Sequence, residues 1–181
     1  MDRLKTDITN PRGIPQAKFI DNVSAFVKSD DDVTRLLQEC EERLNQYRFM
    51  ESNKKETLRS LRLKVPDIDK SLAMVRFLQT QKKTGNEEFD LNYELNDTLY
   101  STASVDVENL DSVCLWLGAD VMLEYPLDEA IELLEGRLKT ATESLDITKE
   151  DLEYLRENIT TMEVNTARVY NYDVARRKVK A

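Results

Sequence analysis

Histidine is missing from this 181-residue chain, and glycine and proline occur only four times each. Without histidine, the side chain most used for proton transfer and transition-metal binding near neutral pH is gone. Zinc enzymes and serine–histidine or cysteine–histidine nucleophile systems drop out with it. The two cysteines cannot hold zinc alone. Cys40 and Cys114 fall at apolar-pattern positions, where a thiol behaves as a small hydrophobe, so both are read as reduced in the cytosol. Glycine-rich phosphate loops are also absent, and no cofactor is expected. No run approaches the roughly 20 apolar residues of a membrane span, and the N-terminus lacks an apolar run of signal-peptide length. A soluble intracellular protein without membrane contact is predicted. The net charge of −9 disfavours nucleic acid as the main partner.

Charged residues make up 34% of the sequence and aromatics 7%. That balance suits long helices with an apolar seam better than a thick core wrapped by loops. Two such seams are present. The first comprises Val33, Leu37, Cys40, Leu44, Tyr47, Glu51, Lys54, Leu58, Leu61, Val65, Ile68, Leu72, Val75 and Gln79. Its spacing of four and three alternates without a slip, the signature of a coiled coil. The second, of equal length, runs through Leu127, Ile131, Leu134, Leu138, Ala141, Leu145, Thr148, Leu152, Leu155, Ile159, Met162, Thr166, Val169 and Asp173. Ser29 with Asp30 to Asp32 predicts the start of the first helix, and Pro126 with Asp128 and Glu129 that of the second. The first helical segment has a surplus of basic residues and the second a surplus of acids, which favours their pairing. Folded back on each other, the seams pair positions whose numbers sum to about 206, giving an arm of about 70 Å at 1.5 Å per residue. Glu51, Lys54 and Thr148, polar within the seams, are read as register setters. Pro66 lacks a backbone N–H and predicts a kink over Arg62 to Pro66.

Between the helices the period becomes two. Phe89, Leu91, Tyr93 and Leu95 alternate with polar residues, Asn96-Asp97 predicts a turn, and Leu99 to Val105 returns. Val113 to Leu117, then Gly118-Ala119-Asp120, then Val121 to Tyr125 form a second hairpin, read as lying beside the first. Val113, Leu115 and Leu117 point one way while Cys114 and Trp116 point the other, so both faces need cover. Four short strands cannot close a core alone, and other subunits are expected to complete the sheet. The assembly residues are Phe89, Leu91, Tyr93, Val113, Leu115, Trp116, Leu117, Val121 and Leu123. Ahead of the helices, residues 1–12 are polar and turn-rich and read as mobile. Phe19, Ile20, Val23, Phe26 and Val27 recur at helical spacing and predict a short amphipathic helix packed on the long one.

The fold class is therefore mainly α with a small β region: an antiparallel two-helix coiled coil joined by two β-hairpins that complete a β-barrel with other subunits. The segments are an N-terminal tip segment 1–32, a first helix 33–83, hairpins 84–126, a second helix 127–173 and a basic tail 174–181. Such a rod offers no sizeable pocket and no convergent titratable cluster, so an enzyme is not expected.

Five motifs carry a family resemblance: Asn10-Pro-Arg-Gly-Ile-Pro15, Tyr47-Arg-Phe-Met-Glu51, Val65-Pro-Asp-Ile68, Val113-Cys-Leu-Trp-Leu-Gly-Ala-Asp-Val-Met-Leu-Glu-Tyr125 and Val164-Asn-Thr-Ala-Arg-Val-Tyr-Asn171. The chain resembles the α-class subunits of prefoldin, the subunit 3 branch most of all. The resemblance implies a cytoplasmic heterohexameric chaperone with one further α-class and four β-class chains. It further implies nucleotide-independent capture of unfolded actin and tubulin by coiled-coil tips, and transfer to the cytosolic group II chaperonin. With both termini at the tip, the candidate client-binding residues are Phe19, Ile20, Phe26, Val27, Leu36, Val169, Tyr170, Tyr172 and Val174, since gripping unfolded chains needs adaptable apolar groups. A coiled-coil tether that spaces partners without holding clients is the competing reading.

Overall fold

The computed structural model describes residues 4–27, 29–85 and 88–180. Met1 to Arg3, Asn86 of the stop after the first helix, and the terminal Ala181 of the basic tail lie outside the described residues. In chain order the elements are β1 (Lys5–Thr9), β2 (Pro15–Ala17), α1 (Val23–Phe26), α2 (Asp30–Thr84), β3 (Glu88–Asn96), β4 (Leu99–Asp106), β5 (Ser112–Gly118), β6 (Val121–Pro126) and α3 (Leu127–Lys180). The chain falls into two compact units, Met1–Ser60 with Leu145–Ala181, and Leu61–Ser144.

The helices form where the heptads require them, and no residue of either seam is exposed. α2 starts on a reciprocal cap: Asp32 N donates to Ser29 Oγ at 3.2 Å and Ser29 N donates to Asp32 Oδ2 at 3.1 Å, satisfying two donors that the first turn leaves free. It stays helical through Pro66. α3 runs past the expected limit at Asp173 to Lys180. The basic tail is therefore largely helix, supported by an Arg177–Asp173 pair at 2.7 Å.

In the first unit α2 and α3 run antiparallel, with Lys54 meeting Asp151 at 2.8 Å and Arg48 meeting Glu163 at 2.9 Å. A third element lies on them. The expectation for the N-terminal segment is an amphipathic helix over Phe19 to Val27; helix is confined to Val23–Phe26 and a strand pair precedes it. β1 and β2 pair antiparallel, the chain continues without regular secondary structure from Lys18 through a bend at Asp21 to Asn22, and only the single turn Val23–Phe26 is helical. The physical reason is its apolar period. Ile14, Ala17, Ile20 and Val23 recur every three residues, and all but half-buried Ala17 are buried. Such a period serves one face of a helix, but it also serves a non-helical chain that turns once in about three residues along a groove, and Pro15 disfavours helix at the residue before it.

In the second unit the antiparallel pairing is marked by Arg76–Glu135 at 2.6 Å and Gln79 Nε2 donating to Asp128 Oδ1 at 2.5 Å. The hairpins have the expected strands, with two differences. The first turn falls on Asp97-Thr98, one residue later than expected, because β3 continues through Asn96. The second hairpin is the one that needs positive φ: Ala119 (51°) and Asp120 (58°) form its turn beside Gly118 (98°), an arrangement whose twist matches that of paired strands. The hairpins do not join into one sheet; β3–β4 and β5–β6 are separate two-stranded ladders.

Candidate assembly face and client-binding site

The assembly candidates divide by burial. Val113 and Leu115, with Tyr125 opposite Val113, pack against a cluster of Leu72, Val75, Leu127, Ala130 and Leu134 from the helices of the same unit. Phe89 meets Phe77 edge to face, with ring centroids 5.4 Å apart, and Leu91 and Leu117 are half-buried. These residues are held within this chain. Trp116 is 58% exposed and pairs across the ladder with Met122, which is 55% exposed. Tyr93, Val121 and Leu123 are exposed as well. The second hairpin thus leaves apolar side chains open on both faces, Trp116 and Met122 on one and Leu123, opposite Leu115, on the other, and among the described residues each hairpin pairs only within itself.

The client-binding candidates divide likewise. Ile20, Val27, Leu36 and Val169 are buried in the core of the first unit. Phe26 and Tyr172 are half-buried against that core, and Val174 is half-buried. Phe19 and Tyr170 remain exposed. The Arg168 guanidinium lies over the Phe19 ring at 5.2 Å, a cation–π contact that holds the ring without hiding it. Tyr170 borders a shallow groove of about 440 Å³ with Leu37, Leu44 and Ala167, flanked by Glu41 and Glu163.

The polar residues that build this unit lie outside the candidate set. Asp151, Asn158 and Asn165 stand one position ahead of the α3 seam, seven residues apart, and all are buried. Asp151 Oδ1 accepts from Asn10 Nδ2 at 2.9 Å and Arg12 Nε at 2.5 Å, and Lys54 Nζ lies 2.8 Å from its other oxygen. Burial pushes the Asp151 pKa up, but Lys54 and Arg12 outweigh it and hold the carboxyl below its ordinary range. Asn158 Oδ1 accepts from Ala17 N at 2.5 Å. Asn165 Oδ1 accepts from Ile20 N at 2.9 Å while its Nδ2 donates to Lys18 O at 2.8 Å. From α2, Tyr47 Oη donates to Pro15 O at 2.9 Å.

These contacts explain the Asn10 to Pro15 motif. The Asn10 side chain accepts from Ile14 N at 2.8 Å and Arg12 N at 3.1 Å, a local loop that Gly13 closes at φ 83°. The loop aims Arg12 at Asp151. A seven-residue polar repeat adjoining the seam is the signal that would have found the ladder.

The long paired helices joined through two hairpins find their counterpart among known families. Residues 47–172 match the family model described as Prefoldin subunit. The chain belongs to the prefoldin family. Among its relatives, "Prefoldin subunit 3" of Saccharomyces cerevisiae is 49% identical over 175 residues, covering 93% of this chain and 88% of that protein. "Prefoldin subunit 3" of Elsinoe fawcettii is 51% identical, with coverage of 96% and 87%. The Homo sapiens "Prefoldin subunit 3" is 45% identical, with coverage of 91% and 83%. In fold, the chain is similar to a filamentous PFD of Methanocaldococcus jannaschii solved by cryo-EM, with a TM-score of 0.50 and 17% identity over 68% of this chain and 98% of that one. The chain is thus a prefoldin chaperone subunit, with other prefoldin subunits as its partners.

Proposed function

We propose that the chain is an α-class subunit of a cytoplasmic heterohexamer with one further α-class and four β-class subunits. Its hairpins complete a β-barrel with those subunits, Trp116 lying at the contact. The end of the coiled coil that carries both termini holds unfolded actin and tubulin without nucleotide and passes them to the group II chaperonin. The observation that carries client holding is the pair of exposed aromatics, Phe19 and Tyr170, in the unit that holds both termini, with Tyr170 on an apolar groove. Weak apolar contacts of this kind adapt to many sequences and add across several arms.

The test is suppression of denatured-actin aggregation by the assembled complex. Phe19→Ser with Tyr170→Ser should leave assembly intact and reduce suppression several-fold. Burial of Ile20, Val27, Leu36 and Val169 favours the alternative of a tether without client binding. A wild-type complex that leaves actin aggregation unchanged would establish that alternative.

A further inference from the structure

The asparagine ladder has a geometry suited to more than one occupant. Asn158 and Asn165 are seven residues apart on α3, about 10.5 Å at 1.5 Å per residue. Ala17 and Ile20, whose amides they bind, are three residues apart, a reach of at most about 10 Å at 3.3 Å per residue. The two periods are commensurate, so one heptad of helix matches three residues of strap. Among the described residues, every group of this N-terminal strap, residues 14–21, that the two asparagines bind is backbone: Ala17 N, Ile20 N and Lys18 O. The carboxamide of Asn165 supplies both an acceptor and a donor to one backbone segment, a pairing indifferent to side-chain identity. The side chains at that period, Ile14 and Ile20, then enter the core.

Resting on the client-holding reading above, we propose that this face of α3 is a receptor for extended polypeptide backbone. In the resting chain residues 14–21 fill it, and a segment of an unfolded client with an apolar residue at every third position takes the same place when the strap leaves. The strap is an internal competitor that keeps Ile20's pocket closed until a client displaces it. Specificity is for extension and spacing, which an unfolded protein offers and a folded one does not.

The test uses the assembled complex with the full-length chain and, as probe, a fluorescent synthetic peptide of residues 12–27. Ile20→Ser weakens the strap's anchor and leaves the ladder intact. Hydrogen exchange at the Ala17 and Ile20 amides should accelerate, and the probe should bind at least about tenfold tighter than to wild type, because the closed population no longer lowers apparent affinity. Adding Asn158→Ala and Asn165→Ala to that variant should return probe binding to the wild-type level or below, with assembly and helical content unchanged. Denatured actin should displace the probe. Equal probe binding to wild type and Ile20→Ser, or indifference to loss of both asparagines, overturns the proposal. A complex that holds actin without displacing the probe overturns this inference alone, whereas one that holds no actin defeats the reading beneath it.

Discussion

Asp151 is a fully buried carboxylate held by Asn10, Arg12 and Lys54. Asp151→Ala removes charge-assisted contacts of a kind that contribute about 1.5–3 kcal/mol. Arg12 and Lys54 are partly exposed and regain water, so the loss should approach the lower figure, measured as faster hydrogen exchange at Ile14 and Ala17. Its pH dependence has a definite sign. A carboxyl whose folded pKa is depressed stabilises the fold above its unfolded value and loses that contribution as pH falls through the folded one. Strap protection should therefore be flat through neutral pH and fade only below pH 3.8. Cys40 offers a second residue-scale test. Burial raises its thiol pKa to about 11, while Cys114 is exposed. Iodoacetamide at pH 8 should label Cys114 and spare Cys40, since the thiolate is the reactive form. Labelling of native Cys40 at a comparable rate would contradict its burial.

Among the elements, α2 and α3 were legible because burial on a helix repeats with a period the side chains must follow, and Leu72, Val75, Leu155 and Met162 sit in the core as their spacing requires. The strap was not legible in this way. Its apolar set, Ile14, Ala17, Ile20 and Val23, fits a helix or an irregular chain laid in a groove. The choice is made by Asp151, Asn158 and Asn165, more than a hundred residues away in sequence. The core position of Leu36 was hidden, since it stands outside the seam, whereas Val169 lies in the seam and Ile20 and Val27 on the packed stripe, and all are buried. The hairpins were read nearly to the residue because alternation fixes strand faces, with Phe89 inward and Trp116 outward. Pro66 supplies the element-scale prediction. It sits in a helix it cannot fully hydrogen-bond, where proline costs about 3 kcal/mol relative to alanine. Pro66→Ala should raise stability by about 1–3 kcal/mol, read as a shift in the urea midpoint without a change in slope. A fall in stability would mean that a bend at Pro66 is required.

For the whole molecule the surface to test for association is the outward face of β5–β6, where Trp116 is exposed. Trp116→Asp leaves the inward cluster of Val113, Leu115 and Tyr125 in place, so the chain should fold. It should fail to co-purify with the other subunits, because association would bury an unpaired charge. Normal co-purification would remove this face from the interface. Leu115→Asp is a poorer probe, since Leu115 packs within its own unit and its loss would confound folding with assembly. Cys114 reports the same event chemically: labelled in the free chain, it should be shielded in the complex if the outward face is covered.

The unpaired edges of β3–β4 and β5–β6 have a consequence for supply. A copy of this chain made in excess of its partners presents open strands and an uncovered tryptophan, a template for aggregation. The usable amount of the protein should then follow its scarcest partner. Overproduction of this subunit alone should yield surplus chain that is cleared or precipitated, and raising all the subunits together should restore it to solution.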